Sequence, residues 1–198
     1  MMNGCIRIAA GLLAAGVCTA GRADQNLVLA RNGQAACTVV VPADAGPVLR
    51  HAADELALFL GRVTGAALAP APAPAPGAYA LWLATPETGD VLARWGALEE
   101  VRALDPDGFL LQADARGLLI AGNTPLGVLF GAYAFLEERV GLRWFYPGEA
   151  GTVCPRRPTL SIAAFRDRQN PVFKDRSVTL LGVTRNGNMV ETWDWIVR

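Results

Sequence analysis

Histidine is almost missing from this 198-residue chain, His51 being the only one. A histidine-rich metal centre and an HExxH protease are thereby excluded, and a Ser-His-Asp arrangement would have to use this single residue. With Asp54 and Glu55 close by on a predicted helix, His51 reads as a solvated helix residue. Charge is scarce too: charged residues make up 18%, acidic and basic side chains balance at 18 each, and no basic block is present. A nucleic-acid-binding surface is therefore not expected. Past the first residues no apolar run is long enough to cross a bilayer. Cysteine is limited to four.

The first 23 residues read as an export signal. Arg7 precedes the apolar run IAAGLLAAGVCTA (Ile8 to Ala20), which is too short to span a membrane and ends in small residues suited to cleavage near Ala23. Val17 stands before Cys18, where a lipid-attachment site wants a small residue. The expected mature protein is secreted or periplasmic, with no membrane attachment after cleavage. Taking Arg7 and Arg22 from the 18 basic residues leaves 16 against 18 acidic, a mature charge near minus two. Cys5 and Cys18 leave with the signal. Cys37 and Cys154 remain, and two readings stay open for them, a disulfide permitted by an oxidising compartment or two free thiols.

Strand and helix patterns then alternate. CTVVVP (Cys37 to Pro42) is a β-branched run typical of a buried strand. Asp44 is a candidate cap for a following helix with Pro47 in its first turn. Val48, Ala52, Leu56, Phe59, Leu60 and Val63 give that helix one apolar stripe, which stops before Gly65. APAPAPAP (Ala69 to Pro76) lacks an N–H at every second residue, so it predicts an extended surface loop inserted within one domain. YALWLA (Tyr79 to Ala84) is the next strand, and 88–104 reads as a helix. GFLLQAD and GLLIAG flank Ala115-Arg116 as a hairpin. LRWFY (142–146) and TLSIAAF (159–165) are further strands. About six strands and three helices in mixed order predict an α/β (α+β) fold with a mixed sheet.

Between the hairpin and LRWFY lies GNTPLGVLFGAYAFLEERVG. The spacing of Gly122 and Gly127 imitates a phosphate-binding loop, but Val128 and Leu129 follow where that loop needs Lys and Ser or Thr. The spacing of Gly122, Gly127 and Gly131 fails the dinucleotide fingerprint as well. No cofactor is expected, and a structural role explains more. Thr124 caps a helix and Pro125 begins it. Leu126, Leu129, Phe130, Tyr133, Leu136 and Val140 form the stripe, Gly127, Gly131 and Ala134 allow close approach to the sheet, and Gly141 stops the helix. The adjacent carboxylates Asp54-Glu55, Glu99-Glu100 and Glu137-Glu138 point about 100° apart on a helix, unlike a glycosidase pair facing across a bond. They read as solvated surface, with no metal site and no catalytic residue among them.

HAADELALFLGRVTG, DGFLLQADARGLLIAG, GNTPLGVLFGAYAFLEERVGLRWFYPG and NPVFKDR together resemble the N-terminal domain of α-glucuronidases of glycoside hydrolase family 67, as found ahead of barrel domains in secreted proteins. The likeness covers about Asn26 to Arg176. A more distant likeness is to the N-terminal domain of family 20 β-hexosaminidases. The resemblance implies an accessory domain over 24–168, after a signal peptide at 1–23, with a catalytic (β/α)8 barrel beginning at 169–198 and cut short there. Ser177 to Val183 would be the first barrel strand. The catalytic carboxylates would belong to the barrel, so this chain would be inactive by itself. Its partners would be that barrel and a carbohydrate substrate.

Two sites follow from the resemblance, each with an alternative. Arg176, after Pro171-Val172-Phe173, is similar to a sugar-binding arginine of family 20, although Ser177 stands where that pattern has Gly. An interdomain or surface arginine is the other reading. Trp144, Phe145 and Tyr146 would be sheet core plus barrel interface, or a platform for sugar stacking. The second platform reading corresponds to a free-standing carbohydrate-binding or scaffold protein.

Overall fold

The computed structural model describes residues 26–146 and 148–173. The export signal, Arg176 and the 177–183 strand lie outside the described residues.

Five strands make the main sheet, in the order β10 (Phe165–Gln169), β5 (Phe109–Asp114), β6 (Gly117–Gly122), β4 (Tyr79–Ala84), β3 (Cys37–Val40). β3, β4 and β6 run parallel, and β5 is antiparallel to both β6 and β10. The sheet is therefore mixed, with β5 the single reversed strand. Side chains alternate across it, since successive residues of a strand point to opposite faces. Leu81, Leu83, Leu111, Leu118 and Ile120 face α1 (Pro47–Thr64) and α4 (Pro125–Phe135) in one hydrophobic core. Ala84, Leu110, Leu119 and Ala121 face α2 (Gly89–Trp95) and α3 (Leu98–Arg102) in a second. Three layers result.

A smaller antiparallel sheet of β2 (Gln34–Ala35), β1 (Leu27–Arg31) and β9 (Leu160–Ile162) adds Leu27, Leu29, Leu160 and Ile162 to the first core. β7 (Arg143–Trp144) pairs with β8 (Thr152–Val153). Among the described residues there are thus ten strands and four α-helices, more and shorter pieces than the sequence pattern suggests. The helix expected over 88–104 is broken after Trp95, because Gly96 takes the left-handed conformation (φ 64°) and its N–H turns back to Leu92 and Ala93. LRWFY shortens to the two residues of β7. β1 and β10 were not anticipated at all.

Helix α1 starts two residues past the expected cap. Gly46, not Asp44, is the N-cap and supplies no side chain, while Pro47 holds the first helical position. Gly65, in the left-handed region (φ 78°), closes the other end. The buried stripe is wider than predicted: Leu49, Ala53 and Ala57 join it and Val48 turns outward.

The proline-rich segment caps the edge of the sheet. Ala71 forms an isolated bridge with Val40, its N–H donating to Val39 O and its carbonyl accepting from Val41 N, and Ala75 N donates to Thr38 Oγ1. Alternate alanines thus satisfy β3, and the prolines between them lack the donors that a further strand would need.

Candidate functional site

The strand–loop–helix around Gly122 uses its glycines for packing. Thr124 caps α4 as expected: its Oγ1 accepts from Gly127 N (3.2 Å) and donates to Pro106 O (2.6 Å). A Cβ at Gly122 would meet Val128 N at 2.6 Å, and one at Gly127 would meet Gly108 O at 2.4 Å. At Gly131 it would press on Ile120 and Phe109. The space that a phosphate cradle would leave open is filled here by the protein's own backbone. Asn123 adds a bond from Nδ2 to Leu104 O, which fixes the loop against the end of the α3 segment.

The aromatic run divides between inside and outside. Trp144 lies edge-on to Phe59 (5.4 Å between ring centres) and to Tyr133 (5.6 Å), so its indole is part of the first core. Tyr133 in turn donates its hydroxyl to Glu55 Oε2 at 2.9 Å. Glu55 is buried, which corrects its reading as solvated surface. The signal for this was present, since Glu55 falls three residues after Ala52 and four before Phe59, on the same stripe of α1. It ties α1 to α4, as burial of a carboxylate requires a partner.

Phe145 and Tyr146 are 69% and 52% exposed. In the β7–β8 pair Arg143 faces Val153, and Phe145 N donates to Gly151 O. The period of two puts Phe145 on the side of Arg143 and exposed Val153, away from Trp144. The Tyr146 hydroxyl donates to Ala150 O. Arg62 pairs with Glu149 at 2.9 Å, joining the end of α1 to this turn. Beside it Cys154 is half-buried, and burial raises its thiol pKa, with Glu149 adding to the rise and Arg62 opposing it. Cys37 is buried in β3, where burial pushes its thiol up to about 12. Both are free thiols in the structure.

Three of the other carboxylate candidates have partners, Glu138 accepting from Gln169 Nε2. Glu99 pairs with Arg102, and Glu100 with Arg166 and Arg168 of β10. His51 is exposed on α1. No group of three or more potential metal ligands occurs among the described residues.

A second exposed apolar region lies where the chain leaves the sheet. Asn170 Oδ1 accepts from Asp105 N, beside the Pro106–Gly108 turn against which Thr124 and Gly127 pack. Val172 and Phe173, 89% and 73% exposed, follow at once. Exposed Leu126 opens α4 and exposed Val48 opens α1. Both helices follow parallel strands of one sheet, so their first turns share the end at which those strands finish. Phe145 and Tyr146 belong to the opposite end, by the last turn of α1.

A family model described as the glycosyl hydrolase family 67 N-terminus matches residues 25–135. The chain belongs to this family. It is thus a glycoside-hydrolase-associated domain, as the sequence motifs suggested. Among solved structures it is similar to a family GH115 4-O-methyl-α-glucuronidase with specificity for decorated arabinogalactans, at 18% identity and a TM-score of 0.52, covering 73% of this chain and 18% of that one. It is also similar to the β-hexosaminidase of Streptomyces plicatus, in a D313A mutant bound to the product GlcNAc (15% identity, TM-score 0.48) and in a complex with Thio-NAglucal (16%, 0.48). Each of these covers 75% of this chain and 24% of that chain. The chain therefore spans a quarter or less of the enzymes it resembles. No curated protein matches it. The GH115 likeness supports the three-layer fold.

Proposed function

We propose that this chain is the non-catalytic N-terminal accessory domain of an exported, α-glucuronidase-like glycoside hydrolase, in which a catalytic barrel follows the sheet described above. The observation that carries this reading is the match of residues 25–135 to the N-terminal family of such enzymes. The internal chemistry agrees with it. Glu55, Glu99 and Glu100 are held by Tyr133, Arg102, Arg166 and Arg168, an arrangement that stabilises a scaffold and leaves acid–base work to another domain. Export follows from the first 23 residues, and polysaccharide is the substrate class of the parent enzyme.

The barrel would dock at the chain exit, on Val48, Leu126, Val172 and Phe173. Exposed apolar side chains at the end of the sheet where the backbone leaves a domain are suited to burial against what comes next. In this arrangement Arg176, three residues past Phe173, enters the interface or the sugar site of the barrel.

Expression of the reading frame extended past Arg198 tests the proposal. Amides of residues 126 and 172–173 should gain hydrogen-exchange protection in the longer protein, which should hydrolyse glucuronyl-substituted xylan fragments, while the chain as given should show no turnover. Turnover by the 198-residue chain, or unchanged protection in the extended one, would overturn it. The exposed Phe145 and Tyr146 favour a second reading, a free-standing carbohydrate-binding protein. Neutral xylan oligomers that bind the 198-residue chain, with loss of binding on Phe145→Ala, would support that reading instead.

A further inference from the structure

The two faces of the main sheet are unequally covered. On the side of α2 and α3 a niche of about 300 Å³ opens over the first half of β4, lined by Pro74, Ala80, Trp82, Arg94, Trp95 and Arg116 among others. Small residues keep its floor low. Ala80 is one, and Gly117 beside it (φ 131°) has no room for a Cβ, which would meet Ala80 O at 2.2 Å. Trp95 is buried, whereas Trp82 is partly open to solvent.

The two arginines of the niche differ in what engages them. Arg116 lies over Trp95 (4.2 Å from its Cζ to the ring centre), binds Asp114 through Nε and Nη2, and donates from Nη1 to Arg94 O at 2.7 Å. Its fork is fully used, and its charge is matched by Asp114. Arg94 lies over Trp82 at 5.5 Å and uses Nε alone, toward Asp90 O. Its two terminal nitrogens have no hydrogen-bond or ion-pair partner among the described residues. A half-open indole, a flat apolar floor and a guanidinium with its terminal fork free therefore meet in one depression.

We propose that this niche binds a carboxylate carried on a six-membered ring. The ring face lies on Trp82 and Ala80, and the carboxylate takes the paired N–H groups of Arg94, whose planar fork matches it in two parallel hydrogen bonds. Arg116 and Asp114 form the rigid side of the site and hold Trp95 in place. Two sources supply such a ligand, an acidic sugar unit and an aromatic acid. The site is on the far side of the sheet from the α1/α4 core and owes nothing to the accessory role proposed above.

The test uses the full chain labelled with ¹⁵N, following the indole N–H resonances of Trp82 and Trp95, assigned with Trp82→Phe and Trp95→Phe. Glucuronate, benzoate, glucose and acetate are titrated separately. The expected result is a saturable shift at these indoles with glucuronate, with benzoate, or with both, larger than with glucose or acetate. The carboxylate that binds identifies the source. Arg94→Gln should weaken binding about tenfold, in line with loss of a hydrogen bond to a charged group, and leave the thermal midpoint unchanged because the side chain is exposed. Arg94→Lys, which keeps the charge without the fork, should fall between. Equal shifts with glucose or acetate, no shift with either ring carboxylate, or unchanged affinity in Arg94→Gln would each overturn the proposal.

Discussion

One face of the five-stranded sheet is sealed and the other is not. Against the first lie α1 and α4, of 18 and 11 residues, with Phe59, Phe135, Leu56 and Leu60 wholly buried between helices and strands. Against the second lie α2 and α3, of seven and five residues, cut apart at Gly96. Two short helices cannot span a strand's length, so Trp82 is left half open and the niche forms at its foot. The same sheet therefore has a face that holds the fold together and a face with room for a ligand, and helix length is the cause of the difference.

The largest expected effect contrasts the two faces directly. Phe135→Ala empties a fully buried position on the sealed side and should cost about 3–5 kcal/mol by urea denaturation. Val91→Ala, at the rim of the niche, should cost under about 1 kcal/mol. Similar costs at the two positions would mean that the second face is packed as tightly as the first. A smaller effect is expected where the sealed side is tightest. Gly127→Ala puts a Cβ 2.4 Å from Gly108 O, a backbone atom that cannot swing away, and should lose about 1–3 kcal/mol through overpacking. A neutral result there would show that α4 can lift from the Pro106–Gly108 turn.

The sealed face was the legible one. Thr124 and Pro125 mark the start of α4 with a cap and a first-turn proline, and Gly141, in the left-handed region (φ 93°), stops the π-helical turn Leu136–Val140 into which α4 passes. YALWLA is β4 to the residue. What local pattern could not give was pairing between distant segments. β10, FRDRQ, has three charged residues in a row and no apolar run, and it is a strand because Arg166 and Arg168 reach Glu100 while its backbone completes β5. RWFYPG is three aromatics in sequence, yet a period of two sends Trp144 inward and Phe145 outward. Glu55 reads as surface from sequence because it is one of two adjacent helix carboxylates that do not face each other, and its partner Tyr133 stands 78 residues further along. The niche was illegible for the same reason: Trp82, Arg94 and Arg116 come from three elements, and none is unusual in its own segment.

The smallest expected effect lies on the open face and depends on pH. Hydrogen bonds from the Arg116 guanidinium hold the Asp114 carboxyl below its ordinary value of 3.8, against a burial contribution that raises it. The unfolded chain therefore takes up this proton at a higher pH than the folded one. Stability from the pair is present above the ordinary carboxylate value, and is lost as pH falls below about 4 through the folded value. Asp114→Asn should lower the thermal midpoint slightly at pH 7 and flatten its fall on the acid side. The change is small because the two side chains are 31% and 49% exposed and solvent screens them. Added salt should shrink the difference between the two proteins further. In the variant Arg116 keeps its bond to Arg94 O but loses the anion that matched its charge, so a ring carboxylate would meet two unneutralised guanidinium groups. Asp114→Asn should then bind the ligand more tightly while being the less stable protein. Weaker binding would mean that Asp114 acts on the niche by fixing the position of Arg116 and Trp95, with its charge secondary.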